Sequence, residues 1–283
     1  MLVNMKEMLE YAKEKNIAIG AFNSATLESA RAAIKAAEEL NLPFVLQHAP
    51  VHEEFIDFDI VTSIMLTLAK NAKVPVCVHL DHGSNVDCII RAIRAGFTSV
   101  MIDFSAMPYE ENMAETARIC KIAHSVGVTV EAELGNMPSN LKGDLSEYKP
   151  EDFYTVPEQA AEFAEKTGVD ALAISFGTVH GVYKTKPQLN FDIIKKINKL
   201  TNGLPLVMHG GSGLTDDDYR EAINSGIRKI NYYTYEALAG GRSVYEIVKE
   251  KPEGLQFHDV ATRAMNDMKD NLVHVMKLFA GIE

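Results

Sequence analysis

The chain has 283 residues, 47% of them hydrophobic and 24% charged, enough apolar material for a large buried core. Its net charge of -11 offers no basic surface for a phosphate backbone and argues against a nucleic-acid partner. No run approaches the ~18 apolar residues of a membrane span, and the charged N-terminal stretch MLVNMKEMLEYAKEKN lacks the apolar segment of a signal peptide. Three cysteines, Cys77, Cys88 and Cys120, show no paired spacing, as expected of a reducing compartment, so the cytoplasm is the expected location.

Short apolar runs alternate with amphipathic stretches along the chain. The first strand, IAIGAF from Ile17, ends at Asn23 and leads to a helix, TLESARAAIKAAEEL, with Thr26 as its N-cap. The second, PFVLQ from Pro43, ends at Gln47 and His48. The third, VPVCVHL from Val74, runs into Asp81, His82 and Gly83. The fourth, TSVMID from Thr98, ends at Asp103 and precedes the helical stretch PYEENMAETARICKIAHSV. The fifth, GVTVEAEL from Gly127, carries Glu131 and Glu133. After it comes the longest irregular stretch, Gly135 to Val156, long enough to predict a functional loop.

Pro157 opens the helix PEQAAEFAEKT. The sixth strand, DALAISF from Asp170, leads into GTVHGVY with His180, and the helix LNFDIIKKINKL follows. The seventh, LPLVMHG from Leu204, passes into HGGSG at His209, and Thr215 caps the helix TDDDYREAINSG. The eighth, GIRKINY from Gly226, ends at Asn231. A methionine-rich amphipathic helix from Asp259 to Phe279 closes the chain and offers a face for a partner.

Eight strands alternating with helices predict an α/β TIM (β/α)8 barrel with an additional C-terminal helix, as one domain over residues 1–283. A doubly wound sheet ranks lower, because no GxGxxG follows the first strand. Barrel active sites lie at the C-terminal ends of strands, where this chain places its ionisable groups. His82, His180 and His209, from the third, sixth and seventh strands, suit a Zn²⁺ site with an open position. A lone histidine is usually a surface or core residue, and His52, His79, His124, His258 and His274 are read that way. The glycines of HGGSG and HGVYK, with Ser212, let backbone N–H groups approach an anion.

Taken together, GAFN at Gly20, LDHG at Leu80, EAELG at Glu131, GTVHGVY at Gly177, HGGSG at His209 and KIN at Lys229 resemble the class II, zinc-dependent fructose-bisphosphate and tagatose-bisphosphate aldolases over nearly the whole chain. The resemblance implies a carbon–carbon lyase of carbohydrate metabolism and glycolysis. Such an enzyme cleaves a phosphorylated ketose, of the fructose 1,6-bisphosphate or tagatose 1,6-bisphosphate type, to dihydroxyacetone phosphate and an aldehyde through a zinc-stabilised enediolate. It implies His82, His180 and His209 as ligands of one Zn²⁺ per subunit and Asp81 as the acid/base residue. Asp103 and Glu133 fall at an alternative or second metal position, and a monovalent cation is a further candidate cofactor. Gly181, Gly210, Gly211, Ser212, Asn231, Thr234 and Asn23 fall where the ketose phosphate is held. A homodimer or homotetramer is expected, with a sugar phosphate as ligand and neither membrane nor nucleic acid as partner. Arg242 and Arg263 are candidates to reach a neighbouring subunit.

Three departures bear on the substrate. The family's Asn-x-Asp-[Thr/Ser] run reads Asn231, Tyr232, Tyr233, Thr234 here. The segment QHAPVHEE after the second strand lacks the usual serine, leaving His48 and His52 as candidates. The loop after the fifth strand offers Glu147, with Asp144 and Glu151, as a second acid/base. The alternatives are an aldolase of shifted ketose-phosphate specificity, a non-catalytic metal-dependent sugar-phosphate binder on the same barrel, and a metal-free phosphosugar isomerase. The isomerase leaves the three strand-end histidines unexplained.

Overall fold

The computed structural model describes residues 1–135, 153–183 and 186–282. The loop acids Asp144, Glu147 and Glu151 lie outside the described residues. In chain order the elements are β1 (Leu2–Val3), α1 (Met5–Lys15), β2 (Ile19–Asn23), α2 (Leu27–Leu40), β3 (Phe44–His48), a 3-10 turn (Pro50–Glu54), α3 (Phe58–Asn71), β4 (Val76–Gly83), α4 (Val86–Ala95) and β5 (Ser99–Ile102). There follow α5 (Tyr109–His124), β6 (Thr129–Leu134), α6 (Pro157–Thr167), β7 (Ala171–Ile174), α7 (Phe191–Leu200), β8 (Leu206–Met208), α8 (Asp216–Ser225), β9 (Ile227–Tyr232), α9 (Thr234–Glu250) and α10 (Phe257–Phe279).

The eight predicted strands are β2 to β9. Each pairs in parallel with its neighbours in the order β4-β3-β2-β9-β8-β7-β6-β5, and β5 pairs back to β4, closing a TIM barrel with α10 as an additional C-terminal helix. Two predicted caps are present. The Thr26 side chain accepts from the Ser29 N–H and that of Thr215 from the Asp218 N–H, so both helices start where the sequence places them. The helices α1, α3, α4 and α9 go beyond the predicted elements. Gly240 and Gly241 lie inside the continuous helix α9, and β-branched residues crowd α3, which weakens the local helix signal in each.

Apolar side chains fill two layers. Phe22, Phe44, Leu46, Phe58, Phe97 and Phe163 pack between the barrel and its helices. Inside the barrel, Ile19, Ala21, Val45, Cys77, Ala171, Ala173 and Val207 meet Met5, Met8 and Leu9 of α1, which closes the N-terminal end. Small residues at these inward positions leave room for the α1 side chains to seal the base. The methionines of α10 are core residues of this chain. Met265, Met268 and Met276 are buried, and α10 packs on α2 and α9. Above the apolar floor the lining turns polar, with buried Gln47, His79, Asp81, Glu131 and Lys229, and there the site begins.

Candidate metal centre and active site

His79 and Asp81 lie two residues apart on β4 and both point into the barrel, so strict alternation sends His82 outward. The strand breaks that alternation. Its register against β5 shifts between Leu80 and Gly83, and His82 takes a left-handed backbone with φ of 49°. Gly83 makes the irregularity fit, since a Cβ there falls 2.4 Å from the Met101 carbonyl oxygen. Asp81 and His82 therefore both face the mouth.

His82, His180 and His209 come together with ligand nitrogens within 4.8 Å of one another. Ring centroids are 4.7 Å apart for His82 and His209, 5.2 Å for His82 and His180, and 5.8 Å for His180 and His209. His82 Nδ1 donates to Asp103 at 2.7 Å, and His209 Nε2 to Glu131 at 2.9 Å. These bonds set both tautomers and leave the lone pairs on His82 Nε2 and His209 Nδ1, which face each other at 3.1 Å. Two bare lone pairs at that distance repel, so the pair needs a proton or a metal ion between them, and a tetrahedral ion with Zn–N bonds of about 2.0–2.1 Å holds its nitrogens about 3.3 Å apart. The residues fit such an ion. Burial opposes a positive charge on His82, yet Asp81, Asp103 and Glu133 around it overcome this and push its pKa up to about 10, so the site favours a cation.

The predicted second cluster also forms. His82, Asp103 and Glu133 offer atoms within 4.8 Å of one another. Burial and the neighbouring Asp103 charge push Glu133 up to about 7. Glu131, two residues deeper on the same face of β6, has a different task. It accepts from His209 and pairs with Lys229 at 2.8 Å, and Lys229 is itself fully buried.

Asp81 is held by three amides. Asn23 Nδ2 and Gln47 Nε2 donate to its Oδ2 at 3.0 and 3.2 Å, and Asn231 Nδ2 to its Oδ1 at 3.0 Å. Their orientations are set from behind. Gln47 Nε2 donates to Asn23 Oδ1 at 2.8 Å and Lys229 Nζ to Asn231 Oδ1 at 2.8 Å, so both amides turn N–H toward Asp81. Burial pushes the Asp81 carboxyl up, but His82, His209 and Lys229 together with the Asn23 hydrogen bond outweigh that and hold it well below the carboxylate range.

The glycine loops pack against one another. Gly210 has φ of 64° and a Cβ there would lie 2.4 Å from the Val179 carbonyl oxygen, while a Cβ on Gly211 would lie 2.8 Å from that of Asn231. Tyr183 ties the loops together: its hydroxyl donates to Gly210 O at 2.9 Å and accepts from the Val179 N–H at 3.1 Å. Gly181 has φ of 95°. Ser212 is buried and its Oγ accepts from the Tyr233 N–H at 3.1 Å. Thr234 opens α9, whose N-cap Tyr233 offers no side-chain cap, so the first amides of α9 stay available to an anion.

All the predicted site positions among the described residues thus lie at the C-terminal mouth of the barrel; Glu147 is outside the described residues. Three residues of this network lie outside that set: Gln47, Glu131 and Lys229. A signal for each was present, since all three are polar residues within strands whose neighbours on both sides include apolar core residues.

Comparison with known proteins gives concordant matches. The family model described as "Fructose-bisphosphate aldolase class-II" matches residues 3–282. The chain is 40% identical over 281 residues to a probable fructose-bisphosphate aldolase of Bacillus subtilis (strain 168), covering 98% of this chain and 97% of the relative. It is 40% identical over 255 residues to a fructose-bisphosphate aldolase of Staphylococcus aureus (strain Mu50), covering 89% and 88%. Among solved structures, the YdjI aldolase of Escherichia coli K12 superposes with a TM-score of 0.87 at 35% identity, covering 99% of this chain and 97% of that one. The fructose-bisphosphate aldolase of Campylobacter jejuni superposes with a TM-score of 0.84 at 25% identity, covering 99% and 96%.

Proposed function

This chain belongs to the class II fructose-bisphosphate aldolase family, and from that premise we propose that it reversibly cleaves a phosphorylated ketose to dihydroxyacetone phosphate and an aldehyde. The carrying observation is the side-by-side placement of a three-amide-bound carboxylate, Asp81, and a histidine triad backed by carboxylates. His82, His180 and His209 would hold a divalent ion, zinc by the donor set, and Asp103 and Glu133 with His82 would hold a second cation. Bound there, the catalytic ion supplies Lewis-acid stabilisation of the negative charge left on the dihydroxyacetone phosphate half.

Asp81 takes the proton of the ketose C4 hydroxyl during cleavage and returns it to the aldehyde oxygen during condensation. Its amide cradle aims it, and His82, His209 and Lys229 with the Asn23 hydrogen bond keep it ionised, which a binding protein does not need. Gly181, Gly210, Gly211, Ser212 and the first turn of α9 at Thr234 receive the phosphate, and Asn23 and Asn231 orient Asp81 and the substrate. Glu147 remains our candidate for the second proton carrier. We read residues 1–283 as one domain of a homodimer or homotetramer. No helix among the described residues is long and apolar enough to cross a membrane. With Cys77, Cys88 and Cys120 all free, the cytoplasm is the compartment we propose.

The test is a coupled assay of dihydroxyacetone phosphate release from fructose 1,6-bisphosphate, tagatose 1,6-bisphosphate and fructose 1-phosphate. It uses zinc-loaded protein with Asp81→Ala as control. Release that is lost on chelation and in the variant supports the reading, and release from none of the three ketoses refutes it.

A further inference from the structure

The mouth of the barrel has a second wall, formed by the 3-10 turn after β3 and the end of β9. The metal-site histidines come from β4, the residue following β8 and the loop after β7. Across the mouth, the 3-10 turn after β3 and the end of β9 meet over β2, where His52 packs on Tyr233 with ring centroids 4.7 Å apart. This is the sector in which Asn23, Gln47 and Asn231 reach Asp81. The His52 ring is close enough to Asp81 and His82 to feel their charges.

The chemistry of this wall is neutral. His52 is 6% exposed, and neither ring nitrogen makes a hydrogen bond among the described residues. Burial, then the neighbouring His48, pull it down to about 4, so it is an uncharged imidazole at neutral pH. His48 stands behind it. Its Nδ1 donates to Ser24 O at 3.0 Å, and its buried Nε2 has no partner among the described residues. The Tyr233 hydroxyl likewise makes no hydrogen bond among the described residues, and burial raises its pKa. The cation beside this turn, Arg91, is engaged by Glu53 at 3.3 Å and Asp59 at 3.1 Å and lies over the Phe58 ring at 4.2 Å. A phosphate dianion brought here would meet neutral rings and the carboxylate of Asp81, with Glu53 and Arg91 already paired to each other. Hydroxyl groups would meet a phenol and imidazole with hydrogen-bonding capacity to spare.

With the ketose phosphate at the β8 and β9 loops and its C4 hydroxyl at Asp81, the remaining carbons run toward this sector. We propose that His52 and Tyr233 form the wall that receives the aldehyde half, and that this wall selects an uncharged polyhydroxy aldehyde over one bearing a distal phosphate. The inference rests on the aldolase reading above.

Two measurements on zinc-loaded protein separate the two. Exchange of the C3 proton of dihydroxyacetone phosphate with deuterated solvent, without aldehyde, reads the aldolase chemistry alone. Condensation of dihydroxyacetone phosphate with D-glyceraldehyde or with D-glyceraldehyde 3-phosphate reads the wall. The expected result is kcat/KM at least about tenfold higher for glyceraldehyde, with Tyr233→Phe and His52→Gln each raising the KM for glyceraldehyde about tenfold, the worth of one hydrogen bond. Proton exchange should stay intact in both variants. A preference for glyceraldehyde 3-phosphate, or an unchanged glyceraldehyde KM in both variants, overturns the inference while exchange persists. Absence of exchange in the unmodified protein overturns the aldolase reading, and this inference with it.

Discussion

Asp103 Oδ2 lies 2.7 Å from His82 Nδ1, on the side of the ring away from the other histidines. That contact chooses which His82 nitrogen keeps a lone pair for the ion, and it makes the ring more basic. Asp103→Asn should lower zinc affinity about 10- to 100-fold with little change in fold. Competition against a chromogenic chelator, with circular dichroism as the check on folding, measures it. An unchanged affinity would place Asp103 outside the metal's support.

Asp81 is the group to which we assign proton transfer. Asp81→Asn keeps the shape but cannot accept a proton, and its own amide meets the three donors that faced the carboxylate. Cleavage should fall about 100- to 10,000-fold. Zinc content, measured by elemental analysis, should stay near that of the unmodified protein, which distinguishes lost chemistry from a lost ion.

Gly210 has φ of 64° and sits 2.4 Å, at its would-be Cβ, from the Val179 carbonyl oxygen. In Gly210→Ala the left-handed backbone alone costs about 1–2 kcal/mol, and the clash pushes the two glycine loops apart. The expected outcome is a lower Tm together with a raised KM for the phosphorylated ketose. A normal KM would separate this loop from phosphate binding.

Glu236 in the first turn of α9 is fully buried, and both its carboxylate oxygens lack a hydrogen-bond partner among the described residues. Burial raises its pKa well above the ordinary 4.5. The folded state therefore holds a proton that the unfolded chain releases once pH exceeds the ordinary value, so this group's contribution to stability falls as pH rises from there to the folded pKa. Glu236→Gln should match the parent near pH 4 and melt at higher temperature at pH 7.5. Thermal scans across that range decide it, and a gap that is independent of pH would refute the assignment.

The histidine triad was legible because each member stands beside glycine at a strand end, and Asp81 because it precedes one of them. Glu131 shares its strand face with Glu133, and only the depth of each in the closed barrel shows which one supports His209. His52 reads in the sequence as an ordinary histidine, a substrate-site candidate only through the serine missing from QHAPVHEE. Its contact with Tyr233 spans the whole chain order of the barrel.

The sequence by itself determined the barrel, its eight strands and the mouth that bears the chemistry. Hydrophobic period, caps and strand-end residues are properties of neighbours along the chain, and they survive without knowledge of what lies across the fold. Tertiary structure decided which nitrogen of each histidine is left for an ion, which way Asn23 and Asn231 turn, and how His82 faces inward beside Asp81. Those outcomes depend on barrel closure, which sets Asp81 against partners 58 and 150 residues away and lets a bulge override the alternation of its own strand.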